Sequence, residues 1–230
     1  PLELNCLHVT PIQFQFVKTH IGHSVLTKEL QQRTIDQIIK RFDTSRIFLT
    51  DRDLKDIRKQ LADVYVKTSR QDCAPLLKTN ALFVKRVKQR VIYAREYLGP
   101  SFHLDGNMRY QPDAKKRKRP TTATEANDAL AKQIQFEVAN YVANDIALER
   151  AKKLVLKGYE SFLKRVAGVK EREVYSNYLD VFATSLDPHS SYLSADALDD
   201  FNIQMRLSLD GIGATLRSQN GLVVVEALIP

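Results

Sequence analysis

Apolar residues recur along most of this chain three or four positions apart, the period of a helix, and the period falls to two only near its end. Leu30, Thr34, Ile35, Ile38, Ile39 and Phe42 share one face and predict a helix over about 27–42. Thr50 is suited to cap the next helix, with Asp51 and Asp53 at its positive end. Leu54, Ile57, Leu61, Val64 and Tyr65 form the stripe of that helix. Ala81, Val84, Val87, Val91 and Ala94 mark a third over about 75–98, stopped by Gly99-Pro100. The helical period resumes after Thr122, which with Glu125 spells a capping box, and runs through Leu130, Ile134, Val138, Tyr141 and Val142. Leu148, Ala151, Leu154, Val155, Phe162 and Val166 predict a long helix over about 145–166, broken by Gly168. Val174, Tyr178, Val181 and Phe182 predict another over about 171–184, and Ser194 caps a short one ending near Gln204.

From there Met205, Leu207 and Leu209 alternate with Arg206 and Ser208, as in a half-buried strand. Two β-rich runs, Ile212 to Arg217 and Leu222 to Leu228, flank Asn220-Gly221, a strong hairpin signal. A hairpin alone is marginal in water, so this β unit reads as incomplete, and its last run is expected to seek another strand edge. The fold class is therefore mainly α: a multi-helix domain over 1–204, then an incomplete β-hairpin over 205–230.

Composition changes this picture little. The chain has 230 residues, 43% apolar and 27% charged, with eight glycines and eight prolines, which disfavours a loop-rich or low-complexity chain. No stretch approaches the roughly 20 apolar residues of a membrane span, and no secretory leader opens the sequence. The net charge of +8 raises the question of an anionic partner. Lys115, Lys116, Arg117, Lys118 and Arg119 supply most of it, inside a Pro- and Gly-bearing connection over about 100–121 that reads as an exposed loop. No aromatic residue interleaves the run, so a solvated loop is preferred over a nucleic-acid patch. A helical interaction or nucleic-acid-binding module using 115–119 is the alternative function.

The candidate chemistry is sparse. Cys6 and Cys73 are too few for a disulfide framework, and free buried thiols are favoured over a bridge between them. His20 and His23 lack a third metal ligand. The chain contains no Gly-x-Ser-x-Gly elbow, no His-Glu-x-x-His and no phosphate loop. No cofactor and no catalytic residue are assigned to it.

The last quarter is more specific. Residues 185–194 read Ser-Leu-Asp-Pro-His-Ser-Ser-Tyr-Leu-Ser, and residues 201–214 read Phe-Asn-Ile-Gln-Met-Arg-Leu-Ser-Leu-Asp-Gly-Ile-Gly-Ala. Together these resemble the carboxyl-terminal processing, or tail-specific, proteases. In that family a helical region ends in an Asp-Pro-His/Tyr segment and leads into a PDZ domain that opens Gly-Ile-Gly. Phe42-Asp43-Thr44-Ser45-Arg46-Ile47-Phe48-Leu49 resembles an early turn of the same helical region. The resemblance implies that residues 205–230 begin a PDZ domain, in which the amides of Ile212, Gly213 and Ala214 hold a substrate's terminal carboxylate. Glycines allow successive N–H groups to converge on one anion. It also implies a periplasmic parent, protein C-terminal tails as partners, an adaptor protein, and a Ser nucleophile with a Lys base in a domain beyond Pro230. The Asp187-Pro188 segment reads as a structural hinge; His189 could act as a base, but no nucleophile motif accompanies it.

Overall fold

The computed structural model describes residues 3–205, 213–219 and 222–228. Among these, nine helices precede one hairpin: α1 (Cys6–Thr19), α2 (Lys28–Phe42), α3 (Asp51–Leu61), α4 (Val64–Ser69), α5 (Ala74–Tyr97), α6 (Ala123–Ala143), α7 (Leu148–Ala167), α8 (Glu171–Leu186), α9 (Ala195–Met205), β1 (Ala214–Gln219) and β2 (Leu222–Leu228). The chain divides into two compact units, Pro1–Tyr192 and Leu193–Pro230.

The caps form much as their residue types dictate. The Thr27 hydroxyl accepts from the Leu30 amide at the start of α2. Thr50 and Asp53 satisfy each other's amides reciprocally at the start of α3. Thr122 caps α6 through the Glu125 amide, but the Glu125 carboxylate reaches past it to the amide and hydroxyl of Thr121. Ser194 accepts from the Ala197 amide to open α9.

In the first unit, α5 packs against α7, α6, α8 and α3, while α8 also packs against α2 and α1. The predicted faces of α2 and α8 are the buried ones: Leu30, Thr34, Ile35, Ile38 and Ile39 on the first, Val174, Tyr178, Val181 and Phe182 on the second. The predicted stripe of α5 is turned by part of a helical turn. Phe83, Val87, Arg90, Val91 and Ala94 are buried, Ala81 is exposed and Val84 only half-buried. Because α5 is flanked on several sides, an apolar period alone does not single out its inner face.

Three further features depart from expectation. The stripe Leu54–Tyr65 is not one helix, since the chain breaks at Ala62 and Asp63 and restarts as α4. Helix α1 has no counterpart in the sequence reading. It carries Pro11 in its interior and buries Val9, Gln13 and Val17, a row with a polar residue at its centre. Cys6 and Cys73 are joined in a disulfide that spans 67 residues and ties the start of α1 to the start of α5. Free thiols are thus the wrong reading: the two cysteines are far apart in sequence, and only the packing of α1 brings them together.

In the second unit β1 and β2 pair antiparallel from Ala214↔Leu228 to Gln219↔Leu222, with a register irregularity between Thr215 and Leu216. Met205, expected to open a strand, ends α9. Leu207, Leu209 and the Asn220-Gly221 turn lie outside the described residues.

Candidate functional site

The turn after α2 is built on one carboxylate. Asp43 accepts from the amides of Ile47 (3.1 Å) and Leu49 (2.9 Å) and from the Ser45 hydroxyl (3.2 Å). Its side chain is 0% exposed and is paired with Arg119 at 2.7 Å. Arg46 holds a left-handed backbone (φ 56°) and donates to the carbonyls of Lys115 and Arg117. The Pro120 carbonyl accepts from the Asp51 amide. Residues 110–120 are therefore strapped across the turn and across α6. Arg117 lies over the Tyr110 ring at 5.1 Å and donates to Gln133. The expectation of a solvated basic loop is corrected: Lys115, Lys116 and Lys118 are exposed, but Arg117 and Arg119 fold inward. The buried Asp43 needs a cation, and Arg119 supplies it.

Beside this turn the first unit opens into a groove of about 680 Å³. Its floor is aromatic. Phe42 stacks on Phe83 at 4.7 Å, and Phe48 and Phe162 lie 5.3 Å apart. Leu154, Phe162 and Val166, assigned to the core by their period, are half-buried because they line this groove. Gly158 sits on the same row of α7, and a Cβ there would meet nothing within 4 Å. The groove also holds Glu137, half-buried, and Tyr159, which is 7% exposed. Burial pushes the Glu137 carboxyl above the usual range, against hydrogen bonding that lowers it. Gln133 donates to it at 2.9 Å. The Tyr159 hydroxyl is buried close to the same carboxyl and makes no hydrogen bond of good geometry among the described residues. Burial raises the Tyr159 hydroxyl as well. The periodic pattern singled out neither residue; a Glu between Ile134 and Val138 on the apolar side of α6 was the available signal.

The Asp187-Pro188-His189-Ser190 segment gains a tertiary tie. The Asp187 carboxylate accepts from the Ser190 hydroxyl and the His189 amide and meets His20 at 3.1 Å. The Ser190 hydroxyl and the His189 amide hold its carboxyl down to about 2, with His20 adding to them against burial. Tyr192 donates its amide to Asp180, which is ion-paired with Arg41. His20 thus serves α1 and the end of α8 together, while His23 lies tilted beside it, ring centres 5.2 Å apart, and meets Arg33. The His189 imidazole enters none of these contacts.

Of the three predicted carboxylate-binding residues, Gly213 has φ 69°, the left-handed conformation a nest uses, and Ala214 begins β1. Ile212 lies outside the described residues. No helix of the described residues is long and apolar enough to cross a membrane.

The family model described as tail specific protease N-terminal domain matches residues 12–196. The chain is also similar to the tail-specific protease of Haemophilus influenzae, at 25% identity over 217 residues. The aligned region covers 94% of this chain and 31% of that protein, so the chain spans less than a third of the relative's length.

Proposed function

The chain belongs to the tail specific protease N-terminal domain family, and on that premise we propose that it is a non-catalytic part of a periplasmic serine protease that selects proteins by their C-terminal tails. The observation that carries this reading is the match over 12–196, within a chain that aligns with under a third of a tail-specific protease. The helical unit is the scaffold and the platform for substrate or adaptor. Residues 205–230 are the first part of a PDZ domain, and the Ser and Lys of catalysis belong to another part of the parent. Hydrolysis needs an activated nucleophile with its base and oxyanion donors in reach, and no such set is placed together among the described residues.

Tail selection on this reading begins at the Gly213–Ala214 turn. A left-handed glycine lets neighbouring amides converge on a carboxylate, and the strand that follows can pair with an incoming peptide. The Cys6–Cys73 bridge supports export, since such bonds persist in oxidising compartments.

The experiment compares a peptide ending in a free carboxylate with its C-terminal amide, titrated against this chain and against the parent protease. The free acid should bind at least about tenfold more tightly, a difference of about 1.4 kcal/mol. Gly213→Val, which a left-handed φ disfavours, should abolish that preference. The chain alone should release no fragments from an unfolded protein with an apolar C-terminus, and the parent should. Equal binding of acid and amide would remove the carboxylate loop, and cleavage by the chain alone would remove the non-catalytic assignment.

A further inference from the structure

We infer that the aromatic groove of the helical unit is a second peptide-binding site, one that takes an apolar segment carrying a lysine and seats the lysine ammonium between Glu137 and Tyr159. The inference rests on the proposed function only for the class of occupant, an unfolded protein chain. The site itself rests on geometry.

Three observations support it. The first is an incomplete charge. Glu137 makes no ion pair among the described residues; its neighbours are neutral, Gln133, which donates to it, and the nearby Tyr159 hydroxyl. The basic groups nearby are already engaged. Arg41 lines the groove but is paired with Asp180 at 2.5 Å. Arg117 donates to Gln133 and lies over Tyr110. A half-buried carboxylate with apolar neighbours and no cation is unfavourable, so the complementary ligand group is cationic. The second is the Tyr159 hydroxyl, buried in the groove lining with no hydrogen-bond partner of good geometry among the described residues. Such groups are rare in folded proteins and call for an explanation. An ammonium has three donors, enough to serve both a carboxylate and a phenol oxygen.

The third is the shape and chemistry of the rest. About 680 Å³ exceeds what one lysine fills and lies in the range of ligand sites. The four phenylalanines of the floor suit apolar neighbours of that lysine, and their faces attract its charge. Asn80 and Asn177 on the lining offer amides that can pair with a peptide backbone. Gly158 keeps the row Leu154–Phe162 open where any side chain would begin to close it.

The test uses the full 230-residue chain and peptides amidated at the C-terminus, so that carboxylate recognition plays no part. Three peptides of one apolar sequence carry at their centre lysine, acetyl-lysine or norleucine, and binding is followed by fluorescence anisotropy. The lysine peptide should bind at least about tenfold more tightly than the other two, about 1.4 kcal/mol. Glu137→Gln should erase that difference while raising the thermal midpoint, because it removes a half-buried charge that has no counter-ion among the described residues. Gly158→Leu should weaken all three peptides. Neither substitution should alter a free-acid peptide's advantage over its amide, which separates this site from the Gly213 turn. Equal affinity for lysine and acetyl-lysine would overturn the inference. So would an unchanged lysine preference in Glu137→Gln, or competition by hexylamine as strong as by the peptide.

Discussion

Asp43 receives four donors at one buried carboxylate, and one of them, Arg119, comes from far along the chain. Removing a partner from a buried ion pair is more damaging than the pair is favourable, because the remaining charge is stranded. Arg119→Ser should therefore cost about 3 kcal/mol in urea unfolding, whereas Lys118→Ser, one residue away and exposed, should stay within about 0.5 kcal/mol. Equal effects of the two would show that the strap is loose. Two other carboxylates set the acid limit. Burial would push Asp53 up, but the Arg86 guanidinium and the Thr50 amide and hydroxyl outweigh it and hold the carboxyl below its usual range. Asp187 is held down to about 2. For a lowered acid the unfolded chain binds more protons than the native one in this window, so stability rises with pH there. It should be present above about pH 4 and be lost as the pH falls towards about 2. Unfolding midpoints measured across that window check this, and a flat profile would contradict it.

At the level of the elements, α1 depends on tertiary contacts. Proline inside a helix removes a backbone donor and clashes with the preceding turn, and α1 carries Pro11. What holds α1 is its packing on α4 and α8, the hydrogen bond from Gln13 to the Tyr178 hydroxyl at 3.0 Å, and the disulfide at its first residue. Closing a loop of that length is worth roughly 4 kcal/mol in the chain-entropy account. The double substitution Cys6→Ser, Cys73→Ser should lower stability by about 2–4 kcal/mol. Hydrogen exchange should then show the earliest loss of protection in 6–19, and uniform loss across all helices would refute this order. Tyr178→Phe tests the other anchor. It strands the Gln13 amide in the core and should cost about 1–3 kcal/mol.

For the whole molecule, the division at Tyr192 implies that the helical unit carries its own core. Residues 1–192 alone should unfold cooperatively with a midpoint within about 4 °C of the full chain, the shift that about 1 kcal/mol produces at this size. Loss of the transition would show that the second unit is needed for folding. The helical class, most helix positions, the caps at Thr50, Thr122 and Ser194, and the hairpin were legible in the sequence, because these follow from period, capping residues and strand-forming runs that act over a few neighbours. The sequence also carried the family resemblance, in short motifs around turns. The tertiary structure alone decided that α1 is a helix, that Cys6 meets Cys73, that Arg119 is a core cation rather than part of a solvated run, and that Glu137 and Tyr159 share one groove. Each of these joins residues far apart in the chain, and a periodic pattern shows which side of a helix is apolar without showing what faces it. Leu154, Phe162 and Val166 make the point: their spacing is that of core residues, but the neighbouring helices do not close over them, and the same apolar stripe becomes the floor of a groove.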